Sequence, residues 1–560
     1  MKEQKNNRKV KIVGLGAAAL ALIAIIVLAV VFLYNPDINV PGDYRSIQAA
    51  IDAASDGDVI VVEPGLYYER IDFSGKNITV RSTDPEDPEV VAETVIDGRK
   101  RGSVVTFQNG ETEEAVLMGF TITGGVGMRK TIDQEVNGDQ VTSDGYFGGG
   151  IMVDGGSSPT ITLNIIKGNH VELDGGGIAV MNLSNPSIAN NTIEENSSFS
   201  GGGILVWMSS PVIENNIIKN NRARYLGAGI SIDFESSPRV SGNEFQNNSA
   251  TSGGGIAVWY ADPTISDNKF ERNAAIWFGG GIAVLNGSPT IDSNDISRNT
   301  AKNNGGGLAI AEGSNPIISN NRITRNYTEE NGGGIAVIEG SDPVIVDNVI
   351  SDNVVLYGGG GIFIKESSPT IERNNISANL VQQDGGGIAI LTNSSPLITE
   401  NIIDENAAGR AGGGLVVGDE SSPVIENNTI TGNKALTGGG MIVQRSSITF
   451  DNNIVSDNIA ERGSGGGIIL VMNSTAMLRS NSFTGNIAEE FGGGLVIFEE
   501  STVTLRGNDF IGNQAELGGA YIGFGDFSIE VSDPDDNTYR DNVPEDVAAE
   551  VEEREEEDED

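Results

Sequence analysis

The sequence contains no cysteine and only one histidine, His170, among its 560 residues. Disulfide bonds, lipid attachment to cysteine and thiolate zinc sites are therefore excluded, and so is a metal site built from several histidines. Basic residues are scarce as well, since 35 Lys and Arg against 78 Asp and Glu give a net charge of −43. This charge argues against nucleic-acid binding, which needs basic patches. No motif indicates a cofactor, and weak Ca²⁺ binding by the acidic surface stays open.

What the sequence does have is a repeat. A block of small residues, usually three glycines, is followed by an apolar anchor at steps of 26 or 27 residues. The anchors are Ile151, Ile178, Ile204, Ile230, Ile256, Ile282, Leu308, Ile335, Ile362, Ile388, Leu415, Met441, Ile468, Leu495 and Tyr521. A fixed period in this range is typical of a solenoid, in which each unit buries its apolar face against its neighbours.

One unit, residues 253–273, shows the internal plan. Ile256 and Val258 alternate with their neighbours as in a strand. Pro263 then breaks the chain; apolar residues follow two and seven positions later, and asparagines five and ten positions later. Short apolar runs between Gly, Pro and Asn corners predict three strands per unit. We therefore expect an all-β, right-handed parallel β-helix of three-strand coils that rises about 4.8 Å per coil.

The corner asparagines occur in fourteen consecutive units, from Asn164 to Asn508 and from Asn169 to Asn513. Asn and Gly both tolerate left-handed backbone. Stacked Asn side chains can also bond from coil to coil as amide ladders. We interpret these residues as scaffold and look for function elsewhere.

Two stretches resemble the initial segment and first coils of pectin-lyase-like right-handed β-helix proteins. They are residues 40–81 (VPGDYRSIQAAIDAASDGDVIVVEPGLYYERIDFSGKNITVR) and 117–125 (LMGFTITGG). The resemblance, which covers about Val40 to Asn542, implies that a helix over Ser46–Ala54 caps the first coil. The Gly-Gly-Gly-Ile blocks, with Phe-x-x-Asn blocks such as 270–273, also resemble the repeats of chlamydial polymorphic membrane proteins. Because this fold hosts lyases, esterases, hydrolases, epimerases and adhesins, the resemblance implies a fold and leaves the function open.

The N-terminus carries an apolar run that follows five basic residues. The run extends from Ile12 to Leu33, and its 22 residues are enough to span a bilayer as a helix. The basic flank favours a cytoplasmic N-terminus. A cleaved signal peptide is the alternative, but its apolar core is normally shorter and is followed by a small-residue cleavage site. We expect a single-pass membrane protein with an extracytoplasmic β-helix.

These features predict five segments. They are a cytoplasmic basic segment (1–11), a transmembrane signal-anchor (12–34), a cap and first coils with a long loop (35–147), regular coils (148–543) and an acidic tail (544–560). The tail has eleven acidic residues and is expected to be disordered. The loop, about Val126–Tyr146, is polar and could fold over the first coils as a flap.

The catalytic blocks that the resemblance would imply are missing from the sequence. It contains neither the Trp-Ile-Asp-His stretch of pectate lyases nor the Asp-Phe-Ile-Phe-Gly block of pectin methylesterases. The Asn-Thr-Asp and Gly-His-Gly blocks of polygalacturonase-type hydrolases are also missing, as is the Tyr-Gly-Phe-Asp-Pro-His block of mannuronan epimerases. Enzyme activity stays open but is not favoured.

An aromatic strip is predicted on the outer face of the anchor strands. The anchor and the residue two later face inward, so the residues one and three later face outward. Trp207, Asp233 and Trp259 occupy the outward position three after an anchor. Trp277 lies just before a glycine block, where earlier coils carry Phe147, Phe199 and Tyr225, and Tyr260 adjoins the strip. The residues assigned to a ligand-binding surface are Trp207, Tyr225, Asp233, Trp259, Tyr260 and Trp277. Exposed aromatic rings beside a carboxylate suit stacking on sugars, and exposed apolar patches generally mark binding surfaces.

We therefore expect a surface binding or adhesion scaffold for a polysaccharide or cell-surface glycan. One alternative is a polysaccharide lyase or glycoside hydrolase in which Asp233 acts with Asp154 or Glu235 as an acid and base pair. Another is a passive stalk without a ligand. Two further interpretations of the strip also stay open: it lies under the flap or another subunit, or it is ordinary packing.

Overall fold

The structure is a computed structural model that describes residues 37–136, 139–498, 500–531, 536–544 and 547–548. Within these ranges it is a solenoid of short parallel strands, with two helices near its start, Ile47–Ala53 and Pro88–Glu93. The first helix is the predicted cap: the Ser46 hydroxyl accepts from the backbone N–H of Ala49 at 3.2 Å. Its buried Ile47 and Ile51 pack on the first strands.

Sheet I is formed by the strands that begin at the predicted anchors. In the described part of the chain it has 18 strands. They are Ile71–Asp72, Val105–Phe107, Ile151–Val153, Ile178–Met181, Ile204–Trp207, Ile230–Asp233, Ile256–Trp259, Ile282–Leu285, Leu308–Ala311, Ile335–Ile338, Ile362–Lys365, Ile388–Leu391, Leu415–Val417, Met441–Gln444, Ile468–Val471, Leu495–Ile497, Tyr521–Gly523 and Val547–Ala548. Each anchor pairs with the next in parallel, as Ile230 does with Ile256, so the predicted register is confirmed.

Sheet II follows the proline position of each coil. Its strands are Ile38–Val40, Val59–Val62, Thr79–Ser82, Val116–Met118, Thr160–Thr162, Ser187–Ala189, Val212–Glu214, Arg239–Ser241, Thr264–Ser266, Thr290–Asp292, Ile317–Ser319, Val344–Val346, Thr370–Glu372, Leu397–Thr399, Val424–Glu426, Ser447–Asp451, Thr475–Arg479, Thr502–Arg506 and Ser528–Val531. The middle residue of a three-residue strand, such as Ile265, points into the core.

Sheet III lies between the two asparagine corners. Its strands are Gly65–Tyr67, Thr94–Asp97, Thr121–Thr123, Ile165–Lys167, Thr192–Glu194, Ile217–Lys219, Glu244–Gln246, Lys269–Glu271, Asp295–Ser297, Arg322–Thr324, Val349–Ser351, Asn375–Ser377, Ile402–Asp404, Thr429–Thr431, Ile454–Ser456, Ser482–Thr484, Asp509–Ile511 and Thr538–Arg540. Inward residues of sheets I, II and III form one apolar cluster that extends along the solenoid.

A fourth sheet corrects the prediction of three strands per coil. Sheet IV follows the second asparagine and contains Ser197–Ser198, Arg222–Ala223, Ser249–Ser252, Ala274–Phe278, Thr300–Ala301, Tyr327–Thr328, Val354–Val355, Leu380–Val381, Ala407–Ala408, Lys434–Ala435, Ile459–Ala460 and Ile487–Ala488. Most of these strands have two residues, which is too short for an alternating pattern to be visible in the sequence. The second residue is buried, as Val355 and Val381 show.

The predicted asparagine ladders are present at both corners. Asn299 donates from its backbone N–H and its Nδ2 atom to Oδ1 of Asn326, at 2.9 and 3.1 Å. Asn326 repeats this pattern with Asn353, one coil further on. These side chains are fully buried, so each amide satisfies groups of the coils on both sides.

Two segments extend outside the regular coils. Met128–Val136 and Asp139–Phe147 pair as an antiparallel hairpin, which occupies the position of the predicted flap. The predicted transmembrane segment, 12–34, lies outside the described residues, and neither described helix is long and apolar enough to cross a membrane. Most of the predicted acidic tail, 544–560, also lies outside them; within it Val547–Ala548 pairs with Tyr521–Gly523.

Candidate functional site

A pocket of about 240 Å³ opens on the outer face of sheet I, and we call it the aromatic pocket. It extends over several successive coils near the start of the regular repeats. Its walls are Phe147, Leu173, Asp174, Phe199, Ser200, Leu205, Trp207, Tyr225, Leu226, Asp233, Phe234 and Trp259. Nine of these twelve are apolar or aromatic, and two are carboxylates.

The glycine blocks explain why residues outside the strands reach this face. Gly201 has a φ of +64°, and a Cβ atom there would lie 2.6 Å from the carbonyl oxygen of Ile204. The chain thus turns back tightly against the start of its own strand, which glycine alone permits without strain. The residues just before the glycines pair from coil to coil, as Asp174 does with Phe147 and with Ser200. They form a wall beside the outward side chains of sheet I.

This wall corrects the expectation that the outward positions are exposed. Trp207 is 6% exposed and Asp233 is 7% exposed, although strand alternation does direct both away from the main core. Trp207 belongs to a second apolar layer on this face, and Asp233 lies at the edge of that layer. Its buried members are Phe147, Met152, Ala179, Met181, Leu205 and Trp207, and Leu173 and Phe234 pack against them. Part of the predicted strip is therefore packing.

Phe234 joins the aromatic residues of the pocket. Its ring centroid lies 4.8 Å from that of Trp259, edge to face, and 6.0 Å from that of Trp207. Tyr260 stacks on the other side of Phe234 at 6.0 Å. Such pairs are favourable beyond the area they bury, so they hold the indole rings in place. Phe234 and Tyr260 have positive φ values of 44° and 52°, which place both rings at the turn after the strand.

Each carboxylate of the pocket accepts a hydrogen bond from a serine. Asp233 accepts a hydrogen bond from the Ser231 hydroxyl at 2.9 Å, and Asp174 accepts one from the backbone N–H of Ser200 at 2.8 Å. Burial raises the pKa of Asp174 to about 6. Burial, with the neighbouring Asp174, raises the pKa of Asp233 well above its ordinary value. At neutral pH Asp174 is therefore mostly ionised, and burial favours the protonated form of Asp233.

The six predicted residues divide into three groups. Trp207, Tyr225, Asp233 and Trp259 line the pocket together. Tyr260 is not among the lining residues, and its ring centroid is 5.5 Å from that of Trp259. Trp277 is 49% exposed and lies outside the pocket lining.

The predicted acid and base partners of Asp233 are not the ones that the structure provides. Asp154 forms an ion pair with Lys130 of the hairpin at 2.7 Å and accepts from Asn182 at 2.7 Å. Glu235 is exposed to solvent. Asp174 is the carboxylate that lines the pocket with Asp233. The sequence signal for Asp174 was its position directly before a glycine triplet. Strand alternation makes no prediction for that position, because it lies outside the strand.

The hairpin lies at one end of the pocket. Lys130, on its first strand, reaches Asp154 in the outward column of sheet I, and Phe147, at the end of its second strand, lines the pocket. The base of the hairpin thus covers the start of the strip, which is one of the interpretations that the sequence left open. The lining residues from Phe199 to Trp259 belong to the coils themselves. In the ranges described above, no three His, Cys, Asp or Glu side chains come together as a metal site.

Comparison with known proteins gives one family. The family model described as "Right handed beta helix region" matches residues 124–270, 261–403, 302–455 and 413–550. No curated protein matches the chain. A solved structure of a mutant PL6 family alginate lyase, AlyGC, is similar at 14% identity and a TM-score of 0.22, over 92% of this chain and 100% of that chain. An identity and a TM-score this low support no conclusion about function. The resemblance to chlamydial polymorphic membrane proteins stays a prediction.

Proposed function

The chain belongs to the family of right-handed β-helix proteins, and from that premise we propose that it binds carbohydrate in the aromatic pocket of sheet I. The family fixes the scaffold and leaves the activity open, because one fold hosts many functions. The proposal therefore depends on the pocket itself.

The observation that carries the proposal is the pairing of aromatic walls with two carboxyl groups in one pocket. Tyr225 is 37% exposed at the rim and Trp259 is partly exposed. A sugar ring has apolar C–H faces and a polar edge, so it can stack on such rings while its hydroxyls reach the carboxyl groups. Burial favours the protonated form of Asp233, which can donate to a hydroxyl oxygen, and the ionised Asp174 can accept from a hydroxyl.

The charge and the size of the pocket limit the class of ligand that it can bind. A pocket of about 240 Å³ accommodates one sugar ring with its substituents. The ionised Asp174 and the net charge of −43 disfavour an anionic ligand. We therefore propose a neutral glycan as the partner, with no cofactor assigned.

Two fluorescent residues of the pocket allow a direct test. Trp207 and Trp259 line it, and Trp277, the remaining tryptophan of the sequence, does not. Titration with a panel of neutral sugars no longer than trisaccharides should change the indole emission of the wild type and of a Trp277→Phe variant. The change should disappear in a Trp207→Phe, Trp259→Phe double variant. A panel without any effect on the wild type would contradict the proposal.

A second candidate function is glycoside hydrolysis at the same pocket. The observation that favours it is the presence of two buried carboxyl groups, Asp174 and Asp233, in one pocket, each with a raised pKa. Release of reducing sugar ends by the wild type would support hydrolysis if it is lost in Asp233→Asn while binding is retained. Binding without release, in wild type and variant alike, supports the binding function alone.

The cellular setting that we propose is the cell surface. The run Ile12–Leu33 would anchor the chain in the membrane with the solenoid outside, where a binding or adhesion scaffold meets glycans. Protease added to intact cells should then degrade the solenoid and spare an N-terminal tag. Protection of the solenoid would contradict this placement.

A further inference from the structure

We propose that the chain has a second carbohydrate site around Tyr357 and Phe363, and that an extended, unbranched polysaccharide along the solenoid axis occupies both sites. This inference rests on the proposed function of the aromatic pocket. It goes further because it identifies the ligand as a linear polymer and not a short or branched glycan.

The first observation is a column of exposed aromatic side chains. Five of them lie five residues before an anchor of sheet I, with exposed fractions between 37% and 52%: Tyr146, Phe199, Tyr225, Trp277 and Tyr357. In the part of the chain that the structure describes, Tyr68 is the one other aromatic side chain with comparable exposure. Exposed aromatic residues of the regular coils are thus confined to one position of the repeat.

Because the coils are in register, the residues at this shared position form a straight row. Residues at the same offset in successive coils stack along the axis, about 4.8 Å apart. Phe199 and Tyr225 lie in adjacent coils, and their ring centroids are 5.5 Å apart. From Tyr146 to Tyr357 the row covers eight coil steps, or about 38 Å. One coil step is close to the length that one sugar residue adds to an extended chain.

A second pocket, of about 260 Å³, lies at the far end of this row. It repeats the plan of the aromatic pocket. Tyr357 stands five residues before its anchor, as Tyr225 does, and Asp384 stands directly before a glycine triplet, as Asp174 does. Phe363, 4% exposed, follows its anchor directly in sheet I and forms the floor.

The second pocket differs from the first in its charges. Asp384 accepts from Nε of Arg410 at 2.8 Å, and Asp419 pairs with Arg445. Each carboxylate is therefore matched by a guanidinium group, and the pocket offers fixed donors and acceptors without net charge. That lining suits the hydroxyls of a neutral sugar, which is the same ligand class that the aromatic pocket favours.

The positions between the two pockets are compatible with a polymer that passes over them. In the coils between Trp277 and Tyr357, the row contains Asn303 and Glu330. These polar side chains can bond hydroxyls where no ring is present to stack. Because the row is straight, a polymer must itself remain extended over several residues to contact both pockets.

Chain length is the variable that tests this inference. Trisaccharides and linear fragments of about twelve residues, prepared from β-1,4-xylan, β-1,4-mannan and β-1,4-glucan, are titrated into the full-length chain by calorimetry. Linking two sites through one ligand makes the second contact intramolecular. We expect the long fragment of the preferred sugar to bind as one molecule per chain, at least about tenfold more tightly than its trisaccharide.

The variant Tyr357→Ala separates this inference from the proposed function. Tyr357 is 52% exposed, so its removal should leave the fold intact. It should reduce the affinity for the long fragment to that for the trisaccharide and leave trisaccharide binding at the aromatic pocket unchanged. Tyr68→Ala, with the same exposure, is the matched control and should change neither.

Two results would overturn the inference in different ways. Equal affinity for short and long fragments, unaffected by Tyr357→Ala, would remove the second site and leave the proposed function standing. Absence of binding by every fragment, short and long, would remove both.

Discussion

The Nδ2 atom of Asn374 donates a hydrogen bond to Oδ1 of Asn401, one coil further on, at 3.0 Å. In the other direction, Oδ1 of Asn374 accepts from the backbone N–H and from Nδ2 of Asn348, at 2.9 and 3.0 Å. Nδ2 also donates to the backbone carbonyl of Ile345 at 2.8 Å. One side chain thus satisfies buried polar groups of three successive coils, which makes the ladder a structural element in its own right.

Asn374→Ala should therefore destabilise the middle of the solenoid. It removes the acceptor of the buried backbone N–H of Asn348 and one donor to the carbonyl of Ile345, at a cost of about 1–3 kcal/mol. Since the stability of a solenoid is local, hydrogen exchange of the neighbouring strands measures the effect better than a global melt. Asn375→Ala, at the exposed next position, is the control and should leave exchange unchanged. Equal exchange in both variants would contradict the role of the ladder.

The burial of Trp207 gives a second prediction. It is 6% exposed within the outer apolar layer, so Trp207→Ala should cost about 3–5 kcal/mol and speed up exchange in the strands around it. Trp277→Ala, at a 49% exposed position, should change stability by less than about 0.5 kcal/mol. Similar effects of both changes on hydrogen exchange would show that the outer layer is not packed as described.

Asp174 gives a prediction about pH. Its pKa is raised from 3.8 to about 6 by burial, which outweighs the hydrogen bonds from Ser200 and the positive charge of Arg224. The folded chain therefore holds this proton more tightly than the unfolded chain. The resulting stabilisation is present below about pH 4 and is lost as the pH rises from about 4 to about 6.

Asp174→Asn should remove this dependence. Above pH 6 we expect the variant to be more stable than the wild type around Ile178–Met181, by about 1–2 kcal/mol after allowance for partial exposure. Near pH 3.5 that advantage should vanish. Hydrogen exchange at both pH values provides the measurement, and Glu172→Gln, an exposed acid two residues earlier, is the control. If the variant is less stable than the wild type at pH 7, burial does not disfavour the ionised form of Asp174.

Much of the fold could be predicted because its signals are periodic. The anchors mark the first residues of the sheet I strands, and the corner asparagines form the ladders, since both follow from a register that repeats through every coil. Sheet IV could not be predicted, because two-residue strands such as Val354–Val355 show no alternation.

The site was predictable only in part. Strand alternation correctly placed Trp207, Asp233 and Trp259 on one face. It could not reveal that Asp174 would reach the same face, because Asp174 lies before a glycine turn and outside any sheet I strand. Strand alternation also led to the expectation that outward-facing residues are exposed to solvent. That expectation fails wherever the glycine turn brings the preceding segment of the coil over the sheet.

The most direct test of the account is calorimetric titration of the full-length chain with the neutral oligosaccharide that gives the largest indole response. Replacement of both Tyr225 and Trp259 by Ala removes two aromatic contacts of about 0.5–1.5 kcal/mol each, or more where the rings are desolvated. We expect the affinity to fall on the order of tenfold to a hundredfold, while Tyr68→Ala binds as the wild type does. Unchanged affinity in the double variant would contradict carbohydrate binding in the aromatic pocket.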